Sequence, residues 1–244
     1  VMDVGKVART GVEAAIRGAA EATGVDFGHL LRTARRESSL NPAAKARTSS
    51  AAGLFQFVEQ TWLATVKKHG AKHGLGAYAD LIGRGADGRF TVAGAENRKA
   101  VLDLRFDAQA ASRMAAELTS DSAAYLRGRI GRDPNMGELY AAHFLGPAGA
   151  ARLIEAAKRD PAGSAAAVFP AAASANRSIF YRDGRAASLQ EVYANLTRGA
   201  VDVAAAPVRR AAAPVAIAAA EIVDTVRERT AEAVSAGFSR ADRA

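Results

Sequence analysis

One carboxylate stands where it could do acid–base chemistry. Glu37 opens the run Glu37-Ser38-Ser39-Leu40-Asn41-Pro42, in which hydroxyl and amide groups follow the acid and a proline ends the preceding helix. A short polar stretch then leads to Gly53-Leu54-Phe55-Gln56. A carboxyl group held at the lip of a groove can donate or accept a proton in a reaction. Glu37 is therefore a candidate general acid, with a solvated surface charge as the alternative.

The helix before Glu37 must position it. Asp26 predicts an N-cap, and the apolar residues that follow it recur at helical spacing. On this helical wheel Glu37 lies about 70° from the centre of the apolar stripe, so the pattern places it neither fully inward nor fully outward.

The rest of the chain predicts mostly further helices. A Gly-rich stretch over 70–94 interrupts them and predicts a small hairpin near 86–92. A capping box, with Ser188 and Glu191, opens the last helix before Gly199. The other segments are helices over 7–22, 53–68, 96–118, 121–128 and 149–158, a short helix from Asp133-Pro134 to Gly146-Pro147, and a loop over 160–175.

Composition narrows the class of protein. Hydrophobic residues make up 49% and aromatic residues 6%, and Ala, Arg, Glu and Leu dominate, which predicts a mainly α fold. The absence of cysteine excludes disulfides and thiolate chemistry. No apolar run is long enough for a transmembrane segment, and no leader is visible. The net charge of +8 suits nucleic acid, anionic lipid or an acidic polymer, such as cell-wall glycan that carries peptide carboxylates.

The composition changes after residue 200. Residues 1–200 form the predicted main domain, and 201–214 read as an Ala/Pro linker. Residues 215–244 form a predicted Ala-rich helical tail, whose stretch 215–238 is amphipathic. We expect its apolar face to pack on the main domain or on a protein partner.

The motifs resemble those of a known family. Residues 37–42 are similar to the Glu-Ser-x-x-Asn-Pro motif of soluble-type lytic transglycosylases, and residues 53–56 to their Gly-Leu-Met-Gln motif. Residues 140–146 stand where many members have Ala-Tyr-Asn-Ala-Gly, and Glu191-Val192-Tyr193 resembles the closing helix. The resemblance spans about residues 10–198. It implies a goose-lysozyme-like (SLT) helical domain with at most a small β-hairpin.

The resemblance also implies an activity. Such enzymes cleave the β-1,4 bond between N-acetylmuramic acid and N-acetylglucosamine and form a 1,6-anhydro product. Glu37 matches the single catalytic residue of the family, acting as general acid and then as base. Gln56 matches its groove glutamine. Ser49 and Ser50 are candidate donors to the sugar, although usual members have Gly at the position of Ser50.

The clearest departure from the family lies near residue 143. His143 replaces the usual Tyr and Phe144 the usual Asn, so Phe144 would stack on a sugar or another residue would take over the role. Tyr140 and Tyr193 are candidates for the groove wall. For each of these aromatic residues, core packing is the alternative.

Three functions remain open at this stage. The first is a lytic transglycosylase of the periplasm or cell envelope, which needs no metal or other cofactor and no nucleic acid. The second is a muramidase that hydrolyses the same bond on the same fold. The third is a catalytically silent glycan-binding or scaffold protein of an envelope-spanning machine.

Overall fold

The computed structural model describes residues 4–198, with side chains from residue 9 onward. The predicted linker and tail, 201–214 and 215–244, lie outside the described residues. In chain order the elements are α1 Val4–Thr23, α2 Phe27–Ser38, α3 Glu59–His69, α4 Gly76–Asp80, β1 Ile82–Arg84, β2 Phe90–Val92, α5 Ala95–Asp103, α6 Ala108–Ile130, α7 Met136–Arg159, α8 Ala165–Val168, α9 Pro170–Ala175, α10 Arg177–Phe180, β3 Tyr181–Arg182, β4 Arg185–Ala186 and α11 Leu189–Arg198.

The mainly α fold is confirmed, with two small antiparallel hairpins. In the first, β1 pairs with β2 in the register Ile82 to Val92, close to the predicted position. The second, β3 with β4, was not expected; its turn is formed by Asp183 and Gly184, both with positive φ. Within residues 4–198, no helix is long and apolar enough to cross a membrane.

Several predicted boundaries are wrong for identifiable reasons. Helix α3 begins at Glu59 instead of residue 53, because Gly53 (φ 81°) and Gln56 (φ 49°) adopt left-handed conformations that no helix contains. The predicted helix over 96–118 is divided at Asp107, which caps α6 by accepting a hydrogen bond from the amide of Ala110.

The second half of the chain shows smaller differences. Helix α7 continues through the predicted stop but kinks at Gly146, where φ is 77° and Pro147 follows. The predicted loop over 160–175 contains the short helices α8 and α9. The capping box of Ser188 and Glu191 is present, with both reciprocal hydrogen bonds formed.

Buried apolar side chains form two clusters. One lies among α1 to α5 and the first half of α6, with Trp62 fully buried in it. The other lies among the end of α6, α7 and the elements up to α11. Helix α6 belongs to both clusters and packs on α1 and α7. It therefore fixes where α2, from the first cluster, meets α7, from the second.

A hydrogen bond joins the end of α2 to the loop that follows. The hydroxyl of Ser38 donates to the carbonyl of Leu54 at 2.7 Å, and it also lies 3.1 Å from the carbonyl of Ala34. Ser39 and Leu40 then turn the chain through positive φ, and Asn41 accepts a bond from the amide of Ala43. The two motifs are thus connected directly, one residue after Glu37.

A buried guanidinium holds the other side of this loop. Arg105 is 8% exposed, and its Nη1 donates to the carbonyls of Ser50 at 2.7 Å and Phe57 at 3.1 Å. Gly53 approaches so closely that an added Cβ would lie 1.8 Å from the carbonyl oxygen of Arg105. Only glycine fits there, both for this contact and for its positive φ.

The contact of Gly53 gives the first prediction. Gly53→Ala should lower the free energy of unfolding by about 3 kcal/mol, because the new methyl group collides with backbone and φ is unfavourable. Gly18→Ala is the matched control: it lies exposed in α1 with open space around it and should be neutral or stabilising by up to about 1 kcal/mol. Denaturant melts compare the two. Equal stability of both variants would contradict the role of Gly53.

Buried His29 gives a second prediction, on pH. Burial, followed by the charge of His143 and of Arg32, lowers the pKa of His29 from 6.5 to about 4. The unfolded chain therefore binds more protons between these pH values, and stability falls as pH falls through this window. The loss should reach up to about 3 kcal/mol. His29→Gln should show a shallower dependence in urea melts between pH 6.5 and 4; an unchanged slope would contradict the assignment.

Candidate active site

Glu37 and His143 lie against each other at the junction of α2 and α7. The Oε1 atom of Glu37 is 3.3 Å from Nε2 of His143. The Glu37 side chain is 5% exposed and that of His143 23%. The angles fall short of a hydrogen bond, so this Nε2 is buried without a hydrogen-bond partner in the part of the chain that the structure describes. A small rotation of the imidazole would complete the bond.

Tyr140 and Arg36 flank this pair. The guanidinium of Arg36 lies 3.9 Å from the centre of the Tyr140 ring, a cation–π contact. Burial and then the negative charge of Glu37 raise the pKa of Tyr140 above its usual value. The ring is 6.1 Å from that of His143. Tyr140 is thus close to the candidate acid, but it is 6% exposed and packs in the core.

A narrow cavity of about 50 Å³ extends inward from His143. His29, Gln56 and Thr61 line it, together with apolar residues of α6 and α7. The Oγ1 of Thr61 is buried without a hydrogen-bond partner among the described residues. Unpaired polar atoms at a cavity are those that a polar ligand group would satisfy. The volume is far below that of an ordinary ligand pocket, so a glycan strand would lie outside it.

The side chain of Gln56 stabilises the loop through hydrogen bonds to backbone carbonyls. Its Nε2 donates to the carbonyls of Gly53 at 2.8 Å and Ala44 at 3.3 Å. These bonds use both amide hydrogens and hold Gln56 in its left-handed conformation. The oxygen of the side chain carries no hydrogen bond within residues 4–198. The structure therefore places Gln56 in the lining of the cavity beside His143.

Ser49 and Ser50 lie in a different place. Their hydroxyl oxygens accept hydrogen bonds from the amides of Ala51 at 3.3 Å and Glu59 at 3.2 Å, respectively. Both line a cleft between the loop and α5, and neither lines the cavity beside His143. The predicted sugar contacts are therefore divided between two separate surfaces.

Two of the aromatic residues predicted to contact sugar, Phe144 and Tyr193, make contacts within the protein. Phe144 is 4% exposed and packs in the second cluster, so its ring offers no face for stacking on a sugar. The hydroxyl of Tyr193 donates to Glu138 Oε1 at 3.0 Å. Burial alone would raise the pKa of Glu138, but the bonds from Arg132, the amide of Asn135 and Tyr193 outweigh it and lower the pKa. Tyr193 thus belongs to a buried polar network between α7 and α11.

His69 and His73, four residues apart in the chain, contact carboxylates of α6. His73 Nε2 lies 2.7 Å from Glu117 and His69 Nε2 2.8 Å from Asp121, both on α6. Lys68 and Lys72 contact the same two carboxylates. Within the described part of the chain, no cluster suited to a metal ion is found.

Sequence reasoning missed the residues that support the site. Ser38 was seen only as a neighbouring polar residue, although its position directly after Glu37 was the available signal. Arg105 gave no signal, because its partners Ser50 and Phe57 are distant in sequence. The contact of His143 with Glu37 could not be read from spacing either, since it depends on how α7 packs.

Part of the chain matches a known protein family. Residues 14–78 match the model of the family described as Transglycosylase SLT domain. The match contains Glu37 and Gln56, while Tyr140, His143 and Tyr193 lie beyond its end. The mainly helical architecture is consistent with the lysozyme-like fold of that family. The resemblance drawn from the motifs is therefore confirmed over residues 14–78, the stretch that matches the SLT domain model.

Proposed function

We propose that this protein is a lytic transglycosylase that cleaves the MurNAc-β-1,4-GlcNAc bond of peptidoglycan. The SLT domain family implies this activity on this polymer. The observation that carries the proposal is the carboxylate of Glu37 at the end of α2, which lies against the imidazole of His143 on α7. The proposed substrate places the protein in the periplasm or cell envelope.

The proposed reaction uses Glu37 twice. Its protonated carboxyl donates to the glycosidic oxygen while the bond from C1 of the muramoyl residue to that oxygen breaks. The resulting carboxylate then takes the proton of the muramoyl 6-hydroxyl, whose oxygen bonds to C1. This closes the 1,6-anhydro ring and restores the protonated Glu37. The nucleophile belongs to the substrate, so it reacts with the advantage of proximity and no water is consumed.

The distribution of other carboxylates supports an internal nucleophile. Most glycoside hydrolases place a second carboxylate near the first, to activate water or to attack the sugar. Within residues 9–198, Glu37 is the carboxylate that pairs with His143, and three of the aspartates are engaged elsewhere. Asp103 pairs with Lys99, Asp107 caps α6, and Asp87 accepts a bond from the amide of Arg89.

His143 would stabilise the carboxylate form of Glu37 between the two proton transfers. An imidazole with its hydrogen on Nε2 can donate to Oε1 across the 3.3 Å that separate them. A charge-assisted bond in a site with little water stabilises a developing anion strongly. We therefore assign His143 a positioning role on Glu37 in place of sugar binding.

The role of Glu37 gives a third prediction. Glu37→Gln should lower the release of muropeptides from purified sacculi by at least about a hundredfold, because an amide cannot carry the proton. Glu21→Gln, an exposed glutamate on α1, should release them at the wild-type rate. Mass spectrometry of the products should show 1,6-anhydro ends. Equal release by wild type and Glu37→Gln would exclude Glu37 as the acid, and no release by wild type would favour a silent binding protein.

The role of His143 gives a fourth prediction. On soluble glycan chains, His143→Ala should lower kcat by about tenfold to a hundredfold with little change in KM, because the donor acts on the charge that develops on Glu37. His143→Gln should recover much of the loss, since its amide can donate from a similar position. A raised KM with unchanged kcat would instead indicate that His143 binds the sugar.

A further inference from the structure

A second cleft lies next to the loop between α2 and α3, the loop that contains Gly53 and Gln56. It is formed by the segment 45–52 and by α5 with the residues that follow it, and its volume is about 430 Å³. This size is in the range of ligand pockets. Four cationic residues and one acidic residue are among those that line it: Lys45, Arg98, Lys99, Arg105 and Asp103. The cleft is therefore strongly positive.

Two of these four cations form ion pairs with carboxylates, and the other two do not. Lys99 pairs with Asp103, and Arg98 pairs with Glu59 at 2.6 Å. Lys45 has no carboxylate partner among the described residues; its Nζ lies 5.0 Å from the centre of the Phe106 ring. Arg105 likewise forms no ion pair with a described carboxylate, although the charges of Glu59 and Asp103 act on it and raise its pKa against the effect of burial.

Arg105 is the unusual member of this pair. It is nine-tenths buried, and burial lowers its pKa. Its Nε and Nη1 donate to backbone carbonyls, while Nη2 carries no hydrogen bond within the described residues. A buried cation that forms no direct ion pair is unfavourable, and an anion in the cleft would stabilise it.

The serine hydroxyls in the cleft can also donate hydrogen bonds to a ligand. Because Ser49 and Ser50 each accept a backbone amide through the hydroxyl oxygen, their hydroxyl hydrogens remain free to donate. The unpaired groups of the cleft are thus an ammonium, a guanidinium nitrogen and two hydroxyls. All of them donate hydrogen bonds, which is the arrangement that binds an anionic oxygen group.

We propose that this cleft binds a carboxylate of the stem peptides attached to the glycan strand. The inference rests on the proposed function for the source of the anion, because peptidoglycan carries peptide carboxylates next to the sugars that Glu37 would attack. Segment 45–52 leads directly into Gly53 and Gln56, so a bound peptide would lie beside the strand being cleaved. Ser49 and Ser50 would then contact the peptide and not the sugar.

The test measures binding without turnover. In the full chain carrying Glu37→Gln, affinity is measured by co-sedimentation with intact sacculi and with sacculi whose stem peptides an amidase has removed. Lys45→Met should weaken binding to intact sacculi about fivefold, the effect of one exposed charge-assisted contact, and should not change binding to stripped sacculi. Lys158→Met, which removes an exposed lysine at the end of α7, should change neither.

Competition identifies the anion. A free stem peptide should displace intact sacculi from the Glu37→Gln protein, and the same peptide with its carboxylates amidated should not. Displacement by inorganic phosphate but not by the peptide would overturn the proposal in favour of a phosphate-bearing polymer. Equal effects of Lys45→Met and Lys158→Met, or binding unaffected by removal of the stem peptides, would also overturn it.

These outcomes are separable from those of the proposed function. If wild type cleaves sacculi through Glu37 but binding ignores the stem peptides, only the cleft assignment is wrong. If wild type cleaves nothing while binding depends on the peptides and on Lys45, the cleft assignment holds and the catalytic proposal is wrong.

Discussion

The hydrogen bond from Ser38 to the carbonyl of Leu54 is the interaction on which the site depends. It ties the last turn of α2, and with it Glu37, to a loop that has no regular structure of its own. That loop is fixed from the other side by Arg105 and by the close approach of Gly53 to the Arg105 backbone. Glu37 is thus positioned by contacts between distant parts of the chain as much as by its own helix.

This constraint explains why the two motifs occur together. The Leu54 carbonyl that accepts from Ser38 lies in the chain between Gly53 and Gln56, which both adopt left-handed conformations. Gln56 stabilises its own conformation by donating to the carbonyls of Gly53 and Ala44. The side chain of Gln56 is therefore first a structural element of the loop. Gln56 also lines the cavity that His143 lines. One segment hence serves both stability and the proposed recognition of the glycan.

The sequence predicted the helical class, the N-cap at Asp26 and the capping box at Ser188, because these depend on local hydrogen bonds and on periodicity. It could not predict the start of α3, where an apolar run that looks helical is bent by the tertiary contacts of Gly53. The sequence also could not show which aromatic residues face the core and which face a groove. Phe144 and Tyr140 are apolar in pattern whether they face the core or a groove, and only the packing of α7 on α6 decides between the two.

The central claim is that the sugar supplies its own nucleophile, with Glu37 as the acid and base and His143 as its support. The most direct measurement is digestion of purified sacculi by the wild-type protein in water enriched in ¹⁸O, followed by mass spectrometry of the new glycan ends. The account predicts ends that contain no ¹⁸O and are one water lighter than reducing ends. Reducing ends that carry ¹⁸O would show attack by solvent and would contradict it.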